Sequence, residues 1–170
     1  MKRFLSGDEA FAEGVRLARP QVISAYPITP QTVVVERLSE MVEAGELDAK
    51  YVHVESEHSA LCCAMGASAT GARAFTATSS QGLLYIQCYA QDNQEALDMA
   101  LMAYRLAEDP RVMTPVMVNL DGFALTHTYE TVDIPAPEQA DAFLPPYATT
   151  NKFDFDHPVN MGYSAGPEHN

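Results

Sequence analysis

YVHVESEHSALCCAMGASATGARAFTATSSQG, residues 51–82, decides the fold of this chain. Tyr51 to Ser56 reads as a strand, Ser59 to Gly71 as a helix of small residues, and Arg73 to Thr78 as a second strand. Thr78-Ser79-Ser80-Gln81-Gly82 then forms a polar turn at the start of another helix. If the first strand continues through Glu57, its period of two places His53, Glu55 and Glu57 on one face, with His58 opening the helix. Two carboxylates crowded at a helix start invite a shifted pKa, the raw material of acid/base chemistry. The helix is almost entirely Ala, Gly, Ser, Cys and Met, so another backbone or a flat ligand can approach it closely.

The same alternation extends in both directions. Ser6 and Glu9 are spaced as a capping box before a helix over 9–18, and Val22 to Tyr26 reads as a short buried strand. Thr29 and Pro30 supply an N-cap and first-turn proline for a helix to about Val42, which Gly45 closes. Asp92 and Glu95 cap a helix over 93–107, and Met113 to Leu120 reads as the last strand. A polar loop follows from Asp121, then a short helix opened by Pro137 and the break Pro145-Pro146. Strands alternating with helices predict an α/β fold with an open, mostly parallel sheet and ligands at its carboxyl edge. Residues 1–147 are expected to form one domain, with 148–170 an irregular tail or linker.

Composition removes several function classes. The net charge of −13 arises from 23 acids against 10 bases, with no basic cluster, which argues against nucleic acid as a partner. No apolar run is long enough to cross a membrane, and the N-terminus lacks the apolar core of a signal peptide, which points to the cytoplasm. Cys62, Cys63 and Cys88 form no CxxC pair, which argues against a zinc or iron–sulfur site in this chain. His53, Glu55, Glu57 and His58 do not converge as metal ligands should, because His58 faces away from the acids; no metal is expected. Cys62 and Cys63 have no evident basic partner and read as packing residues. Residues 66–71 lack the spacing of a dinucleotide fingerprint.

SGDEAFAEGVRLA (6–18), AYPITPQT (25–32) and VESEHSALCCAMGASATGARAFTATSSQG (54–82), in that order, resemble the N-terminal domain of the alpha-type subunit of pyruvate:ferredoxin oxidoreductase and its 2-oxoacid relatives. Residues 89–123 and FLPPY (143–147) are similar to the later part of the same domain, so the resemblance covers nearly the whole chain. It implies a thiamine-type α/β domain holding the aminopyrimidine end of thiamine diphosphate. It also implies an enzyme that oxidatively decarboxylates pyruvate or a related 2-oxoacid with coenzyme A and passes electrons to ferredoxin.

Carried over residue by residue, Glu57 matches the glutamate that hydrogen-bonds the pyrimidine N1′. A carboxyl there favours the imino tautomer, whose 4′ nitrogen can remove the thiazolium C2 proton, so Glu57 is expected to act as a proton relay. Thr29 matches a threonine close to both cofactor and 2-oxoacid, and Ser80 and Gln81 match a turn lining the same cleft. There are two departures. Leu83-Leu84-Tyr85-Ile86 runs directly into Gln87-Cys88-Tyr89-Ala90, so a strand-loop segment of the family is missing between Ile86 and Gln87, and with it the family's substrate-binding arginine. No residue of the sequence is expected to replace that arginine. The chain also has no GDG-type motif for diphosphate and Mg²⁺ and no cysteine set for [4Fe-4S] clusters, which are expected on partner subunits. The alternative to a catalytic subunit is a non-catalytic remnant or assembly piece that docks to the other subunits without turnover. A domain for some unrelated ligand is a third reading.

Overall fold

A computed structural model of the chain describes residues 2–78, 87–148 and 156–157. Ser6 closes the first strand, β1 (Lys2–Ser6), and caps the first helix, α1 (Gly7–Ala18). The Ser6 hydroxyl accepts the Glu9 N–H at 3.2 Å while the Glu9 carboxylate accepts the Ser6 N–H at 3.0 Å, so the predicted capping box forms in full. The chain then alternates as expected: β2 (Val22–Ala25), α2 (Thr32–Glu43), β3 (Lys50–His53), α3 (Glu57–Ala69) and β4 (Ala74–Phe75). After the gap in the described residues come β5 (Gln87–Tyr89), α4 (Asn93–Ala107), β6 (Met117–Asn119), β7 (Tyr129–Asp133) and α5 (Pro137–Phe143).

The sheet order is β3-β2-β4, all parallel, with Val22 opposite both Lys50 and Ala74. A second parallel pair, β5-β6, aligns Gln87 with Met117, and no ladder joins it to the first three strands among the described residues. One continuous sheet was expected, and two parallel pieces are observed. The sequence also gave no sign of β1 and β7, an antiparallel ribbon running from Lys2↔Asp133 to Ser6↔Tyr129. Its outer face is polar apart from an exposed stacked pair, Phe4 and Tyr129, so it carries no strong strand pattern. Its inner face buries Leu5 and Val132.

Two apolar clusters hold these pieces together. Phe11, Ala12 and Val15 of α1 meet Ile23 of β2, Val34, Leu38 and Met41 of α2, and Ala96 and Ala100 of α4. Ala10, Leu17 and Ala18, on another side of α1, meet Leu5, Val132, Leu97 and Leu101. Burying one such Leu or Val contributes about 1.5–3 kcal/mol, so α1 carries more of the core than any strand does. Its crossing with α4 is close because residue 14 has no side chain. A Cβ there would lie 2.6 Å from the Leu97 carbonyl oxygen and 2.7 Å from the Ala100 Cβ.

Several boundaries move. The strand expected over 51–56 ends at His53, because Ser56 leaves the ladder to cap α3, its hydroxyl accepting the Ser59 N–H at 3.2 Å. Glu55 and Glu57 are therefore not strand neighbours on one face. Thr29 is not the cap of α2; the helix begins at Thr32 after Gln31. The strands expected over 73–78 and 113–120 shorten to Ala74–Phe75 and Met117–Asn119.

Candidate functional site at the carboxyl edge of the sheet

In a parallel sheet every strand ends on one edge, and the following helix begins there. Thr29 lies in the turn after β2, and Glu57 is the first residue of α3 after the neighbouring strand β3. Thr29 is exposed and Glu57 half-buried. The structure thus brings these two predicted site residues to the exits of adjacent strands. Ser80 and Gln81 lie outside the described residues.

The other acid of the motif, Glu55, is a satisfied polar residue near the sheet edge, as its sequence context suggested. Glu55 is exposed, and the Ser59 hydroxyl donates to its Oε1 at 2.5 Å. That hydrogen bond holds the Glu55 carboxyl below its ordinary range. It stays an anion in solvent and is not a poised acid. The buried acid at this edge is one the sequence did not single out, Asp8. It sits in the first turn of α1, 1% exposed, and neither carboxyl oxygen has a hydrogen-bond partner. Burial first, and the neighbouring Glu9 second, push its pKa up to about 7.

A loop that the sequence showed only as polar completes the edge. After β6 the chain turns through Asp121–Thr128 and is pinned to the start of α1, where the Gly7 N–H donates to Leu125 O at 3.3 Å and the Asp8 N–H to Thr126 O at 3.4 Å. Gly122 packs against the Thr29-Pro30 turn, since a Cβ on it would lie 3.3 Å from the Pro30 Cγ. Asn93, at the start of α4, donates through its side-chain amide to Leu5 O at 2.8 Å and Thr128 O at 2.7 Å. A Gly between Asp121 and Phe123, followed by Thr126-His127-Thr128, was the available signal.

Among the described residues, nothing covers the outer face of α3. Leu61 and Met65 are 51% and 62% exposed, and among the described residues nothing lies within 4 Å of a Cβ built on Gly66. The small-residue helix is therefore open to close approach, as its composition suggested. On the same helix the Cys62 sulfur lies 3.8 Å from both ring nitrogens of His58. A basic neighbour for Cys62 does exist, one turn back on the helix, which corrects the sequence reading. No group of three or more His, Cys, Asp or Glu able to hold a metal occurs among the described residues.

This edge can be set beside known proteins. The profile of the family described as pyruvate flavodoxin/ferredoxin oxidoreductase, thiamine diphosphate-binding, matches residues 13–87 and 84–170. The chain belongs to this family. Within it, pyruvate synthase subunit PorA of Methanothermobacter thermautotrophicus is 40% identical over 212 residues, covering 98% of this chain and 55% of the relative. Ketoisovalerate oxidoreductase subunit VorA of Pyrococcus horikoshii is 38% identical over 216 residues, covering 98% of this chain and 54% of that protein. The chain spans about half the length of the curated relatives it matches. A solved 2-oxoglutarate:ferredoxin oxidoreductase from Magnetococcus marinus, with 2-oxoglutarate, coenzyme A and succinyl-CoA bound, superposes with a TM-score of 0.69. At 20% identity, over 91% of this chain and 34% of that one, the likeness bears on the fold alone.

The alignments also show that the chain is shortened relative to these proteins. An alignment over 212 residues exceeds the 170 of this chain by 42, so at least that many residues of the relative have no counterpart here. The two matches to the family profile meet at 84–87, where the sequence reading placed the missing segment.

Proposed function

We propose that the chain is the alpha-type subunit, in shortened form, of an oxidoreductase that decarboxylates pyruvate or a related 2-oxoacid. The substrate loses CO₂, its acyl carbon passes to the thiol of coenzyme A, and two electrons leave to ferredoxin. The observation that carries this reading is the position of Glu57, a half-buried carboxyl opening α3 at the exit of β3, one strand from the Thr29 turn. A carboxyl so placed fits the aminopyrimidine of thiamine diphosphate, whose N1′ needs an acid that can give and take a proton from one side. The open face of α3 leaves room for a flat ring nearby. When bound, thiamine diphosphate supplies the electron sink for decarboxylation. This chain contributes the Glu57 proton at N1′ and the Thr29 hydroxyl toward substrate, with Ser80 and Gln81 lining the same cleft. Residues 1–147 are the unit that does this. Mg²⁺, the diphosphate cradle and the [4Fe-4S] clusters reside on partner subunits, ferredoxin engages the assembled complex, and the complex works in the cytoplasm.

The test combines the chain with its partner subunits and follows hydrogen–deuterium exchange at C2 of bound thiamine diphosphate. Glu57→Gln should slow exchange by about 10²–10⁴-fold, the scale of a positioned acid/base group. Unchanged exchange removes Glu57 from the chemistry. One observation favours a second reading, a docking piece without turnover: the 42 or more residues of the relative that have no counterpart here. Normal C2 exchange with no ferredoxin reduction from any 2-oxoacid would select it.

A further inference from the structure

A 2-oxoacid carries a carboxylate, and a carboxylate leaving water needs a donor. The described residues offer no lysine or arginine at the carboxyl edge. Six arginines are ion-paired elsewhere, among them Arg3 and Arg16 on Glu13 and Arg73 on Glu108. Arg105 ends α4 and Lys50 opens β3, both at the opposite edge, and Lys2 opens β1. The acids Glu55, Glu57, Asp92 and Asp121 stand at the carboxyl edge instead.

One nitrogen donor is built into that edge. Phe123 has a left-handed backbone, φ +73°, a conformation that costs a non-glycine residue about 1 kcal/mol or more and persists only when the surroundings impose it. Its N–H donates to the hydroxyl of Thr126 at 2.9 Å, and Thr126 is 3% exposed. The same hydroxyl lies 2.8 Å from Nδ1 of His127. The Phe123 and His127 rings lie 5.0 Å apart at 34°.

This arrangement engages Nδ1 and leaves Nε2 as the ring nitrogen for a ligand. With the Phe123 N–H on one lone pair of the Thr126 oxygen, the hydroxyl can donate to Nδ1, and a neutral imidazole held in that way carries its proton on Nε2. If the ring is charged, Nδ1–H donates to the second lone pair of Thr126, and Nε2 again carries a proton. In both of these states Nε2–H is a donor, whereas a neutral ring with its proton on Nδ1 would present an acceptor there; an anionic ligand selects the first two, and the ring cannot turn without losing Thr126 and its tilted contact with Phe123. Through Gly122 the loop packs on Pro30, the residue next to Thr29.

We propose that His127 is the substrate-binding residue that receives the 2-oxoacid carboxylate in this chain, with Thr126 and Phe123 as its positioning residues. The proposal rests on the thiamine reading above, because it takes the Thr29 turn as the substrate side of the site. It places the carboxylate between the Thr29 hydroxyl and Nε2–H of His127, on a donor rigid enough to bind without reordering.

The experiment uses the complex of this chain with its partner subunits, loaded with thiamine diphosphate and lacking coenzyme A and ferredoxin. Pyruvate affinity is measured by saturation-transfer NMR, and C2 exchange of the cofactor is followed in parallel. His127→Ala should weaken pyruvate binding about 10- to 100-fold, the scale of a hydrogen bond to a charged group. His127→Gln, which keeps an N–H at similar reach, should recover most of it, and C2 exchange should hold in both. Unchanged pyruvate affinity in His127→Ala, with normal exchange, overturns this proposal alone. So does a wild-type complex that exchanges C2 but does not bind pyruvate, or a loss of exchange in both variants, which would mark His127 as structural. Absence of C2 exchange in the wild-type complex overturns the thiamine reading itself and this proposal with it.

Discussion

Arg73 and Glu108 form a bidentate pair across the sheet's amino edge, with Nε 2.5 Å from Oε1 and Nη2 2.6 Å from Oε2. The guanidinium is buried and also donates to the carbonyls of Ala18 and, at 3.0 Å, Pro145. It sits 5.5 Å from the centre of the Tyr104 ring, and burial pushes the Tyr104 phenol up despite the cation beside it. One side chain therefore ties the end of α1, the start of β4, the end of α4 and the segment after α5. The edge opposite the candidate site is fixed, so the carboxyl edge can be built from turns.

Breaking this pair leaves an uncompensated buried charge. Glu108→Ala should cost about 3–5 kcal/mol of stability, read from urea unfolding, because Arg73 keeps its burial and loses its carboxylate. Arg73→Met combined with Glu108→Leu should cost less than Glu108→Ala alone. Additive losses would show that the two groups act independently and would refute the staple.

Asp8 gives a stability that depends on pH, and the sign is fixed by its raised pKa. The folded chain holds the Asp8 proton up to about pH 7, while the unfolded chain releases it near the ordinary value of 3.8. Between those values the folded state binds more protons, so its stability falls as pH rises from about 4 to 7 and is level beyond. Asp8→Asn removes the ionisation, and the variant should exceed the parent by about 2–4 kcal/mol at pH 8, with the gap shrinking as pH is lowered toward 4. A gap that does not change with pH would mean that the Asp8 carboxyl is solvated.

The bare face of α3 should govern association. Leu61 and Met65, one turn apart and more than half exposed, leave an apolar stripe in water when no partner covers it. The isolated chain should self-associate in sedimentation, and Leu61→Glu with Met65→Glu should reduce that tendency without lowering cooperativity of unfolding. A stable monomer of the parent chain at all concentrations would count against the uncovered face as an interface.

Local chemistry carried much of this in plain view. The capping serine at 6, the cap Asp92 and the proline at 137 announced α1, α4 and α5, because a helix start needs acceptors for its free N–H groups and those residues supply them within three positions. The motif order from 6 to 82 announced the family, and the join at Ile86-Gln87 stood out as abrupt. Other features were set by contacts between distant residues. The β1–β7 ribbon pairs positions more than a hundred residues apart and shows water a polar face, so neither strand had a period to reveal it.

By itself, then, the sequence determined the alternation of strands and helices, the family, and the residue types available at the strand ends, since each depends on neighbours within a few positions. Only the tertiary structure decided that Asp8 is a buried acid, that Arg73 closes the amino edge, and that the loop after β6 meets the Thr29-Pro30 turn at Gly122. Burial and hydrogen-bond partnership are properties of packed neighbours, and the neighbours of Asp8, Arg73 and Gly122 come from elements that meet only when the chain has folded.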